Sequence, residues 1–174
     1  MKKIILMVIP FLIFFVFTAS GDDTKRIHIA QMDLPSAENF SLESLNDGGK
    51  IELENFKDKT IVINFWAAWC GPCKEEMPLL EKMWNRYKDK DLIFIGIDVM
   101  DDKNNATEFI KQVGVTYTNL YDPSGEVSKK YGVIGLPATF FIDKEGKIAY
   151  KNYGPFVGRD GEKKFKNYLK ETTK

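Results

Sequence analysis

The sequence predicts an α/β fold, a central mixed sheet flanked by helices, and three observations carry that prediction. Apolar, β-branched runs at Ile61–Phe65 and Leu92–Val99 have the length and composition of buried strands. Stretches with apolar residues at helical spacing alternate with them, notably Met77, Leu80, Trp84, Tyr87 and then Ala106, Phe109, Ile110, Val113. The only two cysteines of the chain fall where the first run meets the first helical stretch, in Cys70-Gly71-Pro72-Cys73. Alternation of this kind packs helices onto a sheet.

Taken in order, the chain opens with basic Lys2-Lys3 and an apolar run of 14 residues, Ile4 to Phe17, followed by small residues Thr18 to Gly21. Residues 1–21 therefore read as an export signal, either cleaved at the small residues or kept as a membrane anchor. Polar residues 22–34 read as a linker, and 35–174 as one domain. Phe40–Leu45 and Lys50–Leu53 flank Asn46-Asp-Gly-Gly49, a hairpin signature. After the cysteines, Leu79 and Met83 widen the helical stripe, and Pro78 lies within its first turns. Leu92–Val99 is apolar on both faces, as a central parallel strand would be. Asn105-Ala-Thr-Glu108 has the form of a capping box opening the next helix. Asp122-Pro-Ser-Gly125 predicts a turn and Glu126–Tyr131 a short helix. Ala138–Ile142 and Lys147–Tyr153, joined by Asp143-Lys-Glu-Gly146, predict a second hairpin, and Phe165, Tyr168 and Leu169 mark a last, lysine-rich helix.

Composition excludes some functions. Acidic and basic residues balance at 25 each, so no basic excess points to nucleic acid. Metal binding by the cysteines needs about four ligands, and the chain adds one histidine, His28, in the expected linker. No cofactor is expected. A purely structural disulfide over so short a ring would contribute roughly 2 kcal/mol, at the low end of the usual range. A redox couple uses the same residues more fully. At a helix N-terminus, free N–H groups and the helix dipole favour a thiolate. That thiolate attacks a disulfide, and a second cysteine resolves the mixed disulfide.

Phe65-Trp-Ala-Ala-Trp-Cys-Gly-Pro-Cys-Lys74 resembles the active-site segment of the thioredoxin superfamily. Cys73-Lys-Glu-Glu-Met-Pro78, Tyr121-Asp-Pro-Ser-Gly-Glu126 and Tyr131-Gly-Val-Ile-Gly-Leu-Pro-Ala-Thr-Phe-Phe-Ile-Asp143, with the leading hairpin, are similar to its TlpA/ResA-like exported branch. The resemblance spans about residues 35–170. It implies a thioredoxin fold with an N-terminal β-hairpin and a central strand and helix insertion near 92–120. It also implies roles: Cys70 attacks, Cys73 resolves, Glu76 affects thiol ionisation, and Pro137 is a cis-proline facing the disulfide. Leu136 and Trp69 would then bind substrate. Asn64 stands where thioredoxins proper carry an acid, which leaves Glu76 as the candidate proton carrier. Trp66 reads as core and Glu75 as surface.

The implied function is extracytoplasmic thiol–disulfide exchange, reducing exported proteins such as apocytochrome c, with recharging by a membrane-bound thiol–disulfide electron donor. Three other readings stand beside it: a dithiol oxidase, a peroxiredoxin-like peroxidase, and a non-enzymatic metal- or peptide-binding module. The peroxidase would need a threonine and an arginine near its cysteine, and neither Thr60 nor Arg86 is placed for that in the sequence.

Overall fold

A computed structural model describes residues 34–174. The expected export segment and all but the end of the linker lie outside the described residues. Strands β1 (Ser41–Ser44), β2 (Lys50–Glu52), β3 (Thr60–Trp66), β4 (Leu92–Val99), β5 (Thr118–Asp122), β6 (Ala138–Ile142) and β7 (Ile148–Tyr153) form one sheet. Their order is β2-β1-β5-β4-β3-β6-β7. Helices α1 (Gly71–Tyr87), α2 (Lys103–Val113) and α3 (Glu126–Lys130) connect successive strands from β3 to β6, and α4 (Gly158–Thr172) follows β7. The two hairpins, the central parallel strand and the thioredoxin-type arrangement stand as the sequence implies.

Strand β3 is the centre. It runs parallel to β4 and antiparallel to β6, and all seven of its residues are buried. That explains its continuous apolar run, since a strand covered on both faces has no polar side to show. Val62 and Trp66 face a core built with α1, α2 and α4, which includes Met77, Leu80, Phe109 and Phe165. Ile61, Ile63 and Phe65 face the other core, with Val127 of α3, Tyr131 and Phe140. Among the described residues the α-helices thus lie on both faces, but unequally: α1, α2 and α4 on one, and the short α3 on the other.

Both cores are rich in rings. Phe141, Phe156 and Phe165 meet at tilted or edge-on angles with centroids 5.1–6.2 Å apart, and Phe65, Tyr131 and Phe140 form a similar trio. Each such pair is worth about 0.5–1.5 kcal/mol beyond its buried area.

Two local details differ from the sequence reading. Helix α2 begins at Lys103, and its cap is Asp102, whose carboxylate accepts from the N–H groups of Asn104 and Asn105. Asn105 is therefore already inside the helix and opens no capping box. The Asp102 oxygen already satisfies two of the free N–H groups at the helix start, and that moves the boundary three residues earlier. In α1 the buried stripe comprises Cys73, Glu76, Met77, Leu80 and Met83, with Trp84 and Tyr87 only partly covered. The stripe is turned slightly from the expected one, and it includes a carboxyl. The helix continues through Pro78.

Gly96 of β4 lies where Trp66 and Asn119 meet across the sheet. The indole N–H of Trp66 donates to Asn119 Oδ1 at 3.1 Å. A Cβ on Gly96 would stand 2.0 Å from that oxygen and 2.8 Å from the indole nitrogen. Gly96→Ala should therefore force the two side chains apart and destabilise the fold by about 2 kcal/mol or more. Urea denaturation would show this as a lower midpoint at unchanged slope; a midpoint equal to wild type would contradict the contact.

Candidate active site

The end of β3 fixes the site. The chain leaves Trp66, turns through Ala67-Ala68-Trp69 and enters α1 with Cys70 as its N-cap. Gly71 and Pro72 occupy the first helical positions, where the missing proline N–H costs nothing. Cys70 and Cys73 are joined as a disulfide with Cα atoms 5.3 Å apart. The Cys73 N–H donates to the Cys70 sulfur at 3.2 Å. Cys70 is 5% exposed and Cys73 0%, so the first cysteine is the more accessible, though by little. Sulfur at a helix N-terminus can thus hold negative charge against a donor N–H.

Neighbouring strand ends surround this junction. Register Phe65↔Ala138 brings the start of β6 level with the end of β3, so Leu136 and Pro137 lie at the same edge. The Leu136–Pro137 bond is cis. Register Trp66↔Asp98 brings the loop after β4 to this edge as well. That loop holds the segment before Cys70: Asp101 Oδ2 accepts from the Ala68 N–H at 2.6 Å, and the Met100 carbonyl accepts from the Trp69 indole at 3.4 Å. Trp69 is 64% exposed, on the rim, while Trp66 is core, stacked on Phe109. Beside Trp69 runs a cleft of about 360 Å³ whose walls include Ala68, Asp101, Glu108 and Phe109. Thr60, by contrast, is buried at the other end of β3.

Glu76 follows Cys73 by one helical turn on the same buried stripe. Its side chain is fully buried between two elements. Oε1 accepts from Asn64 Nδ2 of β3 at 2.8 Å, and Oε2 accepts from the Phe156 N–H at 2.9 Å. Asn64 also donates to Thr139 Oγ1 of β6. Burial is the larger influence and raises the carboxyl to about 7, while the Phe156 and Asn64 donors pull the other way. A buried acid that titrates near neutrality can take up and release a proton under ordinary conditions. The Tyr117 hydroxyl, also buried, feels both this burial and the Glu76 charge, and its ionisation is pushed well up. Glu75 is exposed.

The six side chains singled out from the sequence are thus gathered at one end of the sheet. The Phe156 N–H escaped the sequence reading because a backbone donor eighty residues away leaves no mark in composition. Asp98 was also missed, although an acid within an otherwise apolar strand was a visible signal.

The Redoxin family pattern matches residues 31–169. The chain is 37% identical over 137 residues to the thiol-disulfide oxidoreductase ResA of Bacillus thuringiensis subsp. konkukian, covering 79% of this chain and 76% of that one. It is 32% identical over 151 residues to the protein of that name from Bacillus anthracis, covering 87% and 82%. Among solved structures, a thiol:disulfide interchange protein of the thioredoxin family from Chlorobium tepidum superposes with TM-score 0.71 at 26% identity, covering 82% of this chain and 99% of that one. The structure of MTB dsbF in its mixed oxidized and reduced forms superposes with TM-score 0.69 at 27% identity, covering 80% and 99%.

Glu76 should leave a signature in stability. Its folded-state value near 7 lies above the ordinary 4.5. The contribution of the buried neutral acid is therefore complete below about pH 4.5 and is lost as pH rises through 7. Over that interval the disulfide form should lose about 3 kcal/mol that Glu76→Gln does not lose. Urea denaturation of both proteins at several pH values measures the difference, and parallel pH profiles would contradict it.

Proposed function

The chain belongs to the Redoxin family, as a ResA-like thiol–disulfide oxidoreductase, and we propose that it works outside the cytoplasm, reducing disulfides in exported proteins, apocytochrome c among them. The observation that carries this reading is the Cys70–Cys73 disulfide at the start of α1, with the more accessible cysteine in the capping position. The apolar Ile4–Phe17 run, flanked by Lys2-Lys3 and by small residues, supports export, with residues 1–21 as signal or anchor, 22–34 as linker and 35–174 as the working domain.

In the proposed cycle, the Cys70 thiolate attacks one sulfur of a partner disulfide. A Cys70–partner disulfide forms and the partner's other sulfur leaves as a thiolate. Cys73 then gives up its proton, to Glu76, and attacks the Cys70 sulfur. The internal disulfide forms, and the second partner sulfur departs as a thiolate. Two electrons have passed from the enzyme to the partner. Glu76 fits the proton step because its burial keeps it neutral or charged according to small changes near pH 7. Leu136, ahead of Pro137, would meet an extended substrate segment by strand-like pairing, and exposed Trp69 would cover it from the other side. A membrane-bound thiol–disulfide donor would return two electrons to the Cys70–Cys73 bond, since no glutathione pool does so outside the cytoplasm. Gly71-Pro72 between the cysteines favours this reducing direction.

Two variants test the cycle. Cys70→Ser should abolish reduction of insulin disulfides. Cys73→Ser should accumulate a stable mixed disulfide through Cys70 when offered an oxidised Cys-X-X-Cys-His peptide, the haem-attachment pattern of c-type cytochromes. Equal insulin-reduction rates for Cys70→Ser and wild type would overturn the enzymatic assignment. Failure of Cys73→Ser to trap that peptide, while it traps other exported proteins, would overturn the cytochrome reading.

A further inference from the structure

Asp98 is a buried carboxyl that the thiol chemistry does not use. It lies near the end of β4, in register with Trp66 of β3 and Tyr121 of β5. It is fully enclosed, and neither of its oxygens meets a hydrogen-bond donor among the described residues. A carboxylate in that position would have no compensation for lost hydration. The groups facing it make matters worse. Asp101 comes from the loop after β4 and Asp122 from the end of β5, both adding to the effect of burial. The Tyr121 phenol lies in the field of Asp98, Asp102 and Asp101, with Lys103 as the opposing charge. Lys103 itself is paired with Glu43 at 2.6 Å. The carboxyl is accordingly held up, to about 8.

A protonated carboxyl is a donor as well as an acceptor; both Asp98 oxygens are unpartnered among the described residues, and the neighbouring acid whose charge bears on it most is Asp101, three residues on. Asp101 is itself committed. Oδ2 accepts from the Ala68 N–H at 2.6 Å and Oδ1 from the Asp102 N–H at 2.7 Å. Its carbonyl accepts from the Tyr121 hydroxyl at 2.9 Å. Asp101 thus clamps the backbone two residues before Cys70.

We propose that Asp98 is a positioning residue for the thiol exchange: as the neutral acid it donates its hydrogen to Asp101, and so holds that carboxylate on the Ala68 N–H and fixes the segment that presents Cys70. Loss of the Asp98 proton to solvent turns the pair into two facing carboxylates in a closed space. Asp101 then swings away, and Ala68 loses its acceptor. The contacts of the clamp are made in the disulfide form and none of them involves a substrate, so it stands or falls separately from the identity of the substrate.

The test uses the full chain in detergent micelles, in the disulfide form, where neither cysteine titrates. Two signals are followed from pH 6 to 9.5: the Asp98 side-chain carbon resonance and the Ala68 amide proton. Both should move through one transition with a common midpoint near 8. In Asp98→Asn, whose amide donates to Asp101 at every pH, the Ala68 amide should hold its low-pH position throughout. An Asp98 already ionised at pH 6 would overturn the proposal, as would an Ala68 transition equal in wild type and Asp98→Asn. Should the variant fail to fold, the wild-type signals alone decide: coincident midpoints support the clamp, and separate ones refute it.

Discussion

Strand β3 is hydrogen-bonded along both sides and closed to solvent at every residue, and that enclosure is the constraint from which the site follows. A strand so held cannot shift in register without exposing apolar side chains or breaking two ladders at once. Its end is therefore fixed, and α1 must start a few residues later. The same ladders place the ends of β4 and β6 beside it. Cys70, the Met100–Asp101 loop and Leu136-Pro137 reach one edge because three adjacent strands end there.

The fold also puts two acids where water does not reach, and it treats them differently. Glu76 receives two donors, from Asn64 and from the Phe156 backbone, which partly offset its burial. Asp98 receives none and faces other carboxylates. The first arrangement leaves both protonation states accessible near neutral pH, as proton transfer needs. The second favours the neutral state until the solution is alkaline. Asn64 matters to this contrast. An acid there would compete with Glu76 for charge, whereas the amide stabilises Glu76 and spans to Thr139 on the next strand.

Much of this was legible in the sequence for physical reasons. Ile61–Phe65 and Leu92–Val99 are apolar on both faces because they lie inside the sheet, and the Cys-Gly-Pro-Cys motif names its own place at a strand-to-helix junction. Spacing also pointed to Glu76, since residues 73, 76, 77 and 80 share one helical face. Other features were closed to that reading. Nothing local distinguishes Gly96 as the place where Trp66 and Asn119 cross, because the crossing joins three strands. The cap of α2 fell to Asp102 over Asn105, a competition between two good capping residues that only the backbone path settles. The unequal division of helices between the two faces depends on where α2 packs, which a single stripe of apolar residues does not reveal.

The division of labour between the two sulfurs is the centre of the proposed cycle, and it is open to a direct measurement. The protein is reduced with dithiothreitol, freed of reductant and exposed to a limiting amount of iodoacetamide, and the modified cysteine is located by peptide mass mapping. Cys70, at the cap and the less enclosed, should be alkylated first, with Cys73 following only at higher dose. Alkylation of Cys73 ahead of Cys70, or of neither, would contradict the account.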